Sequence, residues 1–262
     1  MLYLIGIGLH SYKDISLRGL DAVRNSTHVY LEGYTSILNE PIHDLESMVG
    51  KEIKIANRET VEQTDQIIMQ ATQCNVSLLV VGTPLFATTH TDILIRAKEQ
   101  GVHAEIIHNA SIINVMGCCG LYSYSFGRVV TIPYFTDTWK PTSFYTNIVQ
   151  NIENKLHTLC LLDIKTDEER FMSVNEAVTH ILEAADICRS SVLTRESKIF
   201  AICRFGSPTE QITYCTMGDA CQKDFGKPLH SLIIPGGLDR IEQEFVDLLN
   251  PDTSNDTNAL NQ

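Results

Sequence analysis

No stretch of this 262-residue chain holds the roughly 18–20 consecutive apolar residues that a membrane-spanning helix needs, and the 44% hydrophobic share is that of a globular protein. Basic residues are in short supply: 20 Lys and Arg stand against 32 Asp and Glu, a formal net charge of −12. A phosphate backbone is gripped by Lys and Arg, so this balance argues against a sequence-independent hold on nucleic acid. It suits docking to a basic protein surface, or simple solubility. Eight cysteines are present, yet no Cys-x-x-Cys pair occurs. Paired spacings of that kind mark zinc sites, and no metal is expected without them. Cys118 and Cys119 are neighbours and unsuited to chelating one ion together, while Cys160 and Cys203 sit inside apolar runs. Reduced, buried thiols in a cytoplasmic protein are the simplest account. No repeat of solenoid period is visible. The amino end, Met1–Gly6, lacks a basic region and a small-residue cleavage site, and is expected to be a first strand instead of a signal peptide.

What is present is an alternation of short apolar runs with helical patterns. Leu2–Gly8, His28–Leu31, Ile53–Ile55, Leu78–Val81 and Ala104–Ile107 read as strands, separated by helices near Ser16–Asn25, Thr60–Cys74 and Thr91–Gln100. A second set of strands follows Gly117–Gly120: Val129–Ile132, Leu159–Leu162, Ile199–Cys203 and Ser231–Ile234. Its clearest helix opens at Ser173-Val-Asn-Glu176, a capping-box pattern, and Ile241, Phe245, Leu248 and Leu249 mark a last amphipathic helix. Strand and helix repeated in this way predict an α/β protein with mostly parallel sheets. Two α/β domains are expected, residues 1–118 and 119–250, with a ligand cleft between them. The polar, aperiodic tail from Pro251 to Gln262 is expected to be disordered.

Three segments carry the chemistry. Gly6-Ile-Gly8 follows the first strand, but Ser11 stands where a dinucleotide fingerprint has its third glycine, and a tight strand-to-helix turn explains the pair equally well. Val80-Val-Gly-Thr-Pro-Leu-Phe-Ala-Thr-Thr-His90 breaks from an apolar run into a small, hydroxyl-rich loop, where open α/β sheets place ligands. His90, at a helix start, reads as a structural hydrogen-bonding residue. His108–Tyr122 follows a strand, and its small residues bring free N–H groups of a helix start near a ligand. Trp139, the lone Trp, either meets a protein substrate or seals a loop.

Together these segments resemble the diphthine synthases, methyltransferases of the tetrapyrrole-methylase-like fold. The resemblance extends over Leu4–Ser16, Val80–His90, Asn109–Tyr122, Thr138–Tyr145, Leu156–Lys165, Ile202–Gly206 and Phe225–Gly237. Thr138–Tyr145 and the paired cysteines are similar to the eukaryotic branch. The chain departs from the pattern at Thr83 (Asp in the family), Phe86 (Gly), His10 (a small residue) and Asp239 (often His). The resemblance implies a homodimer that takes S-adenosylmethionine into the cleft. It also implies repeated methylation of the 3-amino-3-carboxypropyl-histidine of translation elongation factor 2, ending in diphthine methyl ester. Leu9, Thr83, Phe86, Ser111, Ile112, Leu162, Phe205 and His230 fall at its cofactor contacts. The chemistry is direct displacement at a sulfonium methyl group by a positioned amine or carboxylate, and no general base is assigned. Other readings stand beside it: a small-molecule, tetrapyrrole-type methyltransferase, or a catalytically weak relative that works as a binding or scaffold protein. A nicotinamide-dependent dehydrogenase would lack both its full glycine fingerprint and a ribose-binding acid.

Overall fold

Apolar runs without polar alternation belong to strands buried on both faces. The computed structural model, which describes residues 1–38 and 40–249, places such runs at the centre of a sheet of five strands, with more exposed strands at its edges. The five are β1 (Leu2–Gly6), β2 (His28–Glu32), β3 (Lys54–Ala56), β4 (Val76–Val80) and β5 (Ala104–Ile107), in the order β3-β2-β4-β1-β5. Every pairing is parallel. Successive side chains go to opposite faces. Leu2, Leu4 and Leu78 join a core with Ile67 and Ile68 of α3 (Gln66–Ala71) and Ile93 of α4 (His90–Glu99). Ile5, Leu31 and Leu79 join the other, with Val23 of α1 (Leu17–Arg24) and Leu45 and Val49 of α2 (Ile42–Val49). The expected helix Thr60–Cys74 is interrupted. A π-helical turn, Glu59–Gln63, precedes α3, and the Arg96 guanidinium occupies the break. It donates to the carbonyl oxygens of Val61 and of Thr64 (2.8 Å) and to the Asp65 carboxylate (2.9 Å), satisfying groups that a continuous helix would have paired internally.

A second sheet contains β6 (Val130–Ile132), β7 (Thr158–Leu162), β10 (Lys198–Cys203), β11 (Gln211–Thr216) and β12 (His230–Ile234), in the order β11-β10-β12-β7-β6. Two short strands, β8 (Ile164–Lys165) and β9 (Arg170–Phe171), form a separate ribbon. Here the expectation of mostly parallel pairing fails. Only β6–β7 is parallel; β7–β12, β12–β10 and β10–β11 are antiparallel. β12 runs against both of its neighbours, β7 and β10, and the third antiparallel pair comes from β11, whose Gln-Ile-Thr-Tyr-Cys-Thr pattern is half-exposed throughout and did not read as a strand. It returns beside β10 as a hairpin, and hairpins are antiparallel by construction. Helices α5 (Ser143–Glu153), α6 (Val174–Cys188) and α7 (Met217–Ala220) supply the core of this sheet through Phe144, Ile148, Val178, Ile181 and Met217. The capping box at α6 forms as read: Ser173 Oγ accepts from Glu176 N at 3.2 Å, and Glu176 Oε2 accepts from Ser173 N at 2.9 Å.

The last helix, α8 (Arg240–Leu249), is seated by a buried pair. Gly236 N–H donates to His157 Nδ1 at 3.0 Å, so the ring proton lies on Nε2 and faces Glu242 Oε1 at 3.1 Å. The same carboxylate accepts from the backbone N–H groups of Tyr122 (2.7 Å) and Asp239 (3.0 Å). The chain divides into two compact units: Met1–Ile112 with Ile164–Arg170, and the remainder from Ile113. Residues 113–118, assigned to the first domain on sequence, group with the second unit, and 164–170 group with the first. The polar tail from Pro251 lies outside the described residues.

Candidate functional site

All five strands of the first sheet point the same way, so the loops after β1, β4 and β5 emerge side by side at their carboxyl ends, where open parallel sheets bind ligands. Gly8 and Gly82 bridge two of these loops, with Gly82 N–H donating to Gly8 O at 2.6 Å. The approach depends on missing side chains. A Cβ on Gly6 would stand 2.5 Å from Gly82 O and 2.9 Å from Asn109 Cβ. Gly82 itself has φ 82°, a left-handed conformation open to glycine.

Asn109 stitches the third loop to the first. Its Nδ2 donates to Gly6 O (3.0 Å) and Asp14 O (2.9 Å). Its backbone N–H donates to Thr83 Oγ1 at 3.1 Å, and that hydroxyl also lies 3.3 Å from His108 Nδ1. Thr83 therefore supplies an acceptor that ties the β4 loop to the β5 loop. Phe86 is half-buried and joins neither core of its unit; Leu85 (φ 72°) and Ala87 (φ 54°) flank it in the left-handed region, which non-glycine residues rarely occupy. Such conformations persist where the surroundings over-determine them, typically at ligand loops. Leu9 and Ile112 are half-buried, and Ser111 is buried beside Gly82. His90 is fully buried at the head of α4, with Nε2 3.4 Å from Glu32 Oε2, but neither ring nitrogen makes a hydrogen bond among the described residues, contrary to the hydrogen-bonding part expected of it.

The second unit holds the other three sequence-selected residues. Leu162 ends β7 inside the core, so only its backbone is free to meet a ligand. Phe205 follows β10 and His230 opens β12. His230 Nε2 lies 2.9 Å from Lys227 O, whereas its Nδ1 is buried without a hydrogen-bond partner among the described residues. Burial pushes the pKa of this imidazole down; the Lys227 carbonyl opposes it, the Arg204 charge adds to it, and the Asp224 charge and Phe225 carbonyl oppose it less strongly. Trp139 is 55% exposed in a turn closed by Thr136 N–H to Trp139 O at 3.0 Å. Cys118 is exposed, and burial raises the Cys119 thiol to about 11. Asn109 and Arg204, which organise the loops of the first and second units respectively, were not selected from sequence. An Asn shortly after a strand is a turn signal; nothing in Ile202–Gly206 announced the role of its Arg.

Residues 1–221 match the model of the tetrapyrrole (corrin/porphyrin) methylases. The diphthine methyl ester synthase of Homo sapiens is 42% identical over 283 residues, covering 100% of this chain and 99% of its own length. That of Dictyostelium discoideum is 42% identical over 263 residues, covering 94% and 96%. A solved structure of a diphthine synthase superposes with a TM-score of 0.86 at 32% identity, covering 95% of each chain. Matched in sequence from end to end and in fold, the chain belongs to the tetrapyrrole (corrin/porphyrin) methylase family and is a methyltransferase related to the diphthine methyl ester synthases.

Proposed function

We propose that this methyltransferase takes its methyl groups from S-adenosylmethionine and places them on the 3-amino-3-carboxypropyl-histidine of translation elongation factor 2, ending in diphthine methyl ester. The observation that carries this reading is the 42% identity to the human diphthine methyl ester synthase along the whole of both chains. Two features of the chain fit the methyl donor. The loops after β1, β4 and β5 meet backbone to backbone, with Gly6 and Gly82 leaving free the space that Cβ atoms would fill. His230 Nδ1 is a buried atom without a hydrogen-bond partner among the described residues.

Leu9, Thr83, Phe86, Ser111 and Ile112 of the first unit, and Leu162, Phe205 and His230 of the second, are the proposed contacts. When bound, the donor supplies an electrophilic sulfonium methyl group. Thr83, engaged by Asn109 N–H, acts by holding the loop and not by charge. Leu162 acts through its backbone, Phe86 and Phe205 exclude water, and His230 accepts an N–H. Displacement then needs only an unprotonated amine, or a carboxylate, held in line at about 3–3.5 Å. The acceptor protein is elongation factor 2, the working form a homodimer, and the compartment the cytoplasm.

The test is transfer of labelled methyl groups from S-adenosylmethionine to purified elongation factor 2 carrying the precursor histidine. Label on the factor, with micromolar calorimetric binding of S-adenosylhomocysteine, is expected. Binding without label would move the acceptor to another molecule. No binding at all would leave the scaffold reading.

A further inference from the structure

Where β10 gives way to the loop that carries Phe205, the backbone makes an unusual turn at a residue with a long, charged side chain. Arg204 has φ 52°, in the left-handed region that disfavours a residue with a Cβ. Its backbone N–H donates to Leu229 O at 2.8 Å, and its carbonyl accepts from Ser207 N–H at 3.0 Å. The guanidinium then spans two loops. Nε donates to Thr209 O (3.0 Å) and Thr209 Oγ1 (3.2 Å), both in the 204–210 loop. Nη1 donates to Phe225 O (2.9 Å) and Lys227 O (2.8 Å), both in the 225–230 loop. A planar, always-charged fork suits such a task, because several donors are fixed by placing one group.

Lys227 O is shared: it lies 2.8 Å from Arg204 Nη1 and 2.9 Å from His230 Nε2. A carbonyl oxygen only accepts, so the His230 proton must sit on Nε2. Nδ1 is then a lone pair, buried and without a donor among the described residues. A fixed carbonyl on one ring nitrogen is a standard way to set the tautomer, and hence the function, of the other. Besides the Lys227 carbonyl, the ring feels the charge of Arg204, which opposes a second proton, and the charge of Asp224 and the Phe225 carbonyl, which favour one.

We propose that Arg204 is a positioning residue: by fixing the Lys227 carbonyl it holds His230 as the neutral Nε2–H tautomer, so that Nδ1 accepts an N–H group of the bound methyl donor. The identity of the ligand rests on the function proposed above; the state of His230 in the free protein does not. Arg204 touches no ligand in this scheme. It acts on the loop that presents His230, and a lysine in its place could reach one carbonyl but not both loops.

The test has two parts on the full chain. Nitrogen-15 NMR of the histidine side chains, without ligand and assigned with His230→Gln, reads the tautomer directly. The expected result is a single Nε2–H tautomer at pH 7 in the native protein, a tautomer mixture or a raised protonation midpoint in Arg204→Gln, and an intermediate state in Arg204→Lys. Thr209→Ala, which removes one loop contact and leaves the Lys227 bond, keeps the native tautomer. Calorimetry with S-adenosylhomocysteine should show binding weakened about tenfold in Arg204→Gln and in His230→Gln, the scale of one lost hydrogen bond. An Nδ1–H tautomer in the native protein, or native tautomer and affinity in both Arg204 variants, would overturn the proposal. If Arg204→Gln does not fold, Arg204→Lys carries the comparison alone. If the native protein shows the expected tautomer but no S-adenosylhomocysteine binding, the methyl-donor reading and the acceptor role of Nδ1 both fall, and only the Arg204 hold on the tautomer survives.

Discussion

The two units solve the same problem, holding loops at the ends of a sheet, by opposite means. In the first, parallel strands deliver their loops to one edge, and the loops touch through backbone made bare at Gly6, Gly8 and Gly82. In the second, the loops after β10 and before β12 are held by the Arg204 guanidinium, and the His157–Glu242 pair pins α8. Close approach by omission of side chains tolerates no added atom. A span by side chains tolerates movement but fails when its charge or its acceptors are lost.

The comparison can be broken first in the second unit. Glu242→Ala strands the N–H groups of Tyr122 and Asp239 and the Nε2–H of His157 in a buried site. Buried donors that lose their acceptor cost about 1–3 kcal/mol each, read as a lower urea midpoint. Acid should expose the same pair. Burial alone would raise the Glu242 pKa, but the Tyr122 and Asp239 N–H groups and His157 outweigh it and hold the carboxyl below its ordinary 4.5. A depressed folded pKa stabilises above the unfolded value and loses that stabilisation as pH falls through the folded one. The stability gap between native protein and Glu242→Gln should therefore be constant above about pH 5 and shrink below about pH 4.

In the first unit, Gly6→Ala adds one methyl group against fixed backbone, an overpacking cost of about 1–3 kcal/mol, and should abolish S-adenosylhomocysteine binding in calorimetry. Gly117→Ala, which meets nothing within 4 Å, is the matched control and should bind normally. Asn109→Ala leaves two carbonyl oxygens without their donor; about 1–2 kcal/mol of thermal stability should go, with a larger loss of ligand affinity than of stability. The smallest effect expected is Ser173→Ala at the head of α6, about 1 kcal/mol by chemical denaturation with ligand affinity unchanged.

Much of this was legible in the sequence. Leu78–Val81 read as a strand because burial on both faces leaves an unbroken apolar run, whereas β5, an edge strand, keeps Glu105 among half-exposed residues. Ser173–Glu176 read as a cap because both partners sit at fixed spacing. Strand direction was legible in the first sheet, where strand and helix alternate and every pairing is parallel, but not in the second, where apolar runs alone do not record which way the chain runs. Nor was β11, whose half-exposed residues carry no strong pattern. Thr83 drew attention as a missing charge, yet its part in the loop, accepting from Asn109, depends on a residue 26 positions away. Arg204 stayed hidden because a left-handed backbone and four acceptors from two loops leave no periodic trace.

The order β3-β2-β4-β1-β5 also has a meaning in time. β1 is made first, yet both its neighbours come late: Leu2 pairs with Val76 on one side and Ala104 on the other. During synthesis, Leu2, Leu4 and Ile5 must wait without a sheet partner until residues 76–80 have emerged, and the far side stays open until residue 107. Pairing at such separations is slow and leaves apolar surface open meanwhile. The strand whose carboxyl end carries the Gly6 approach is thus the one the nascent chain must shield longest.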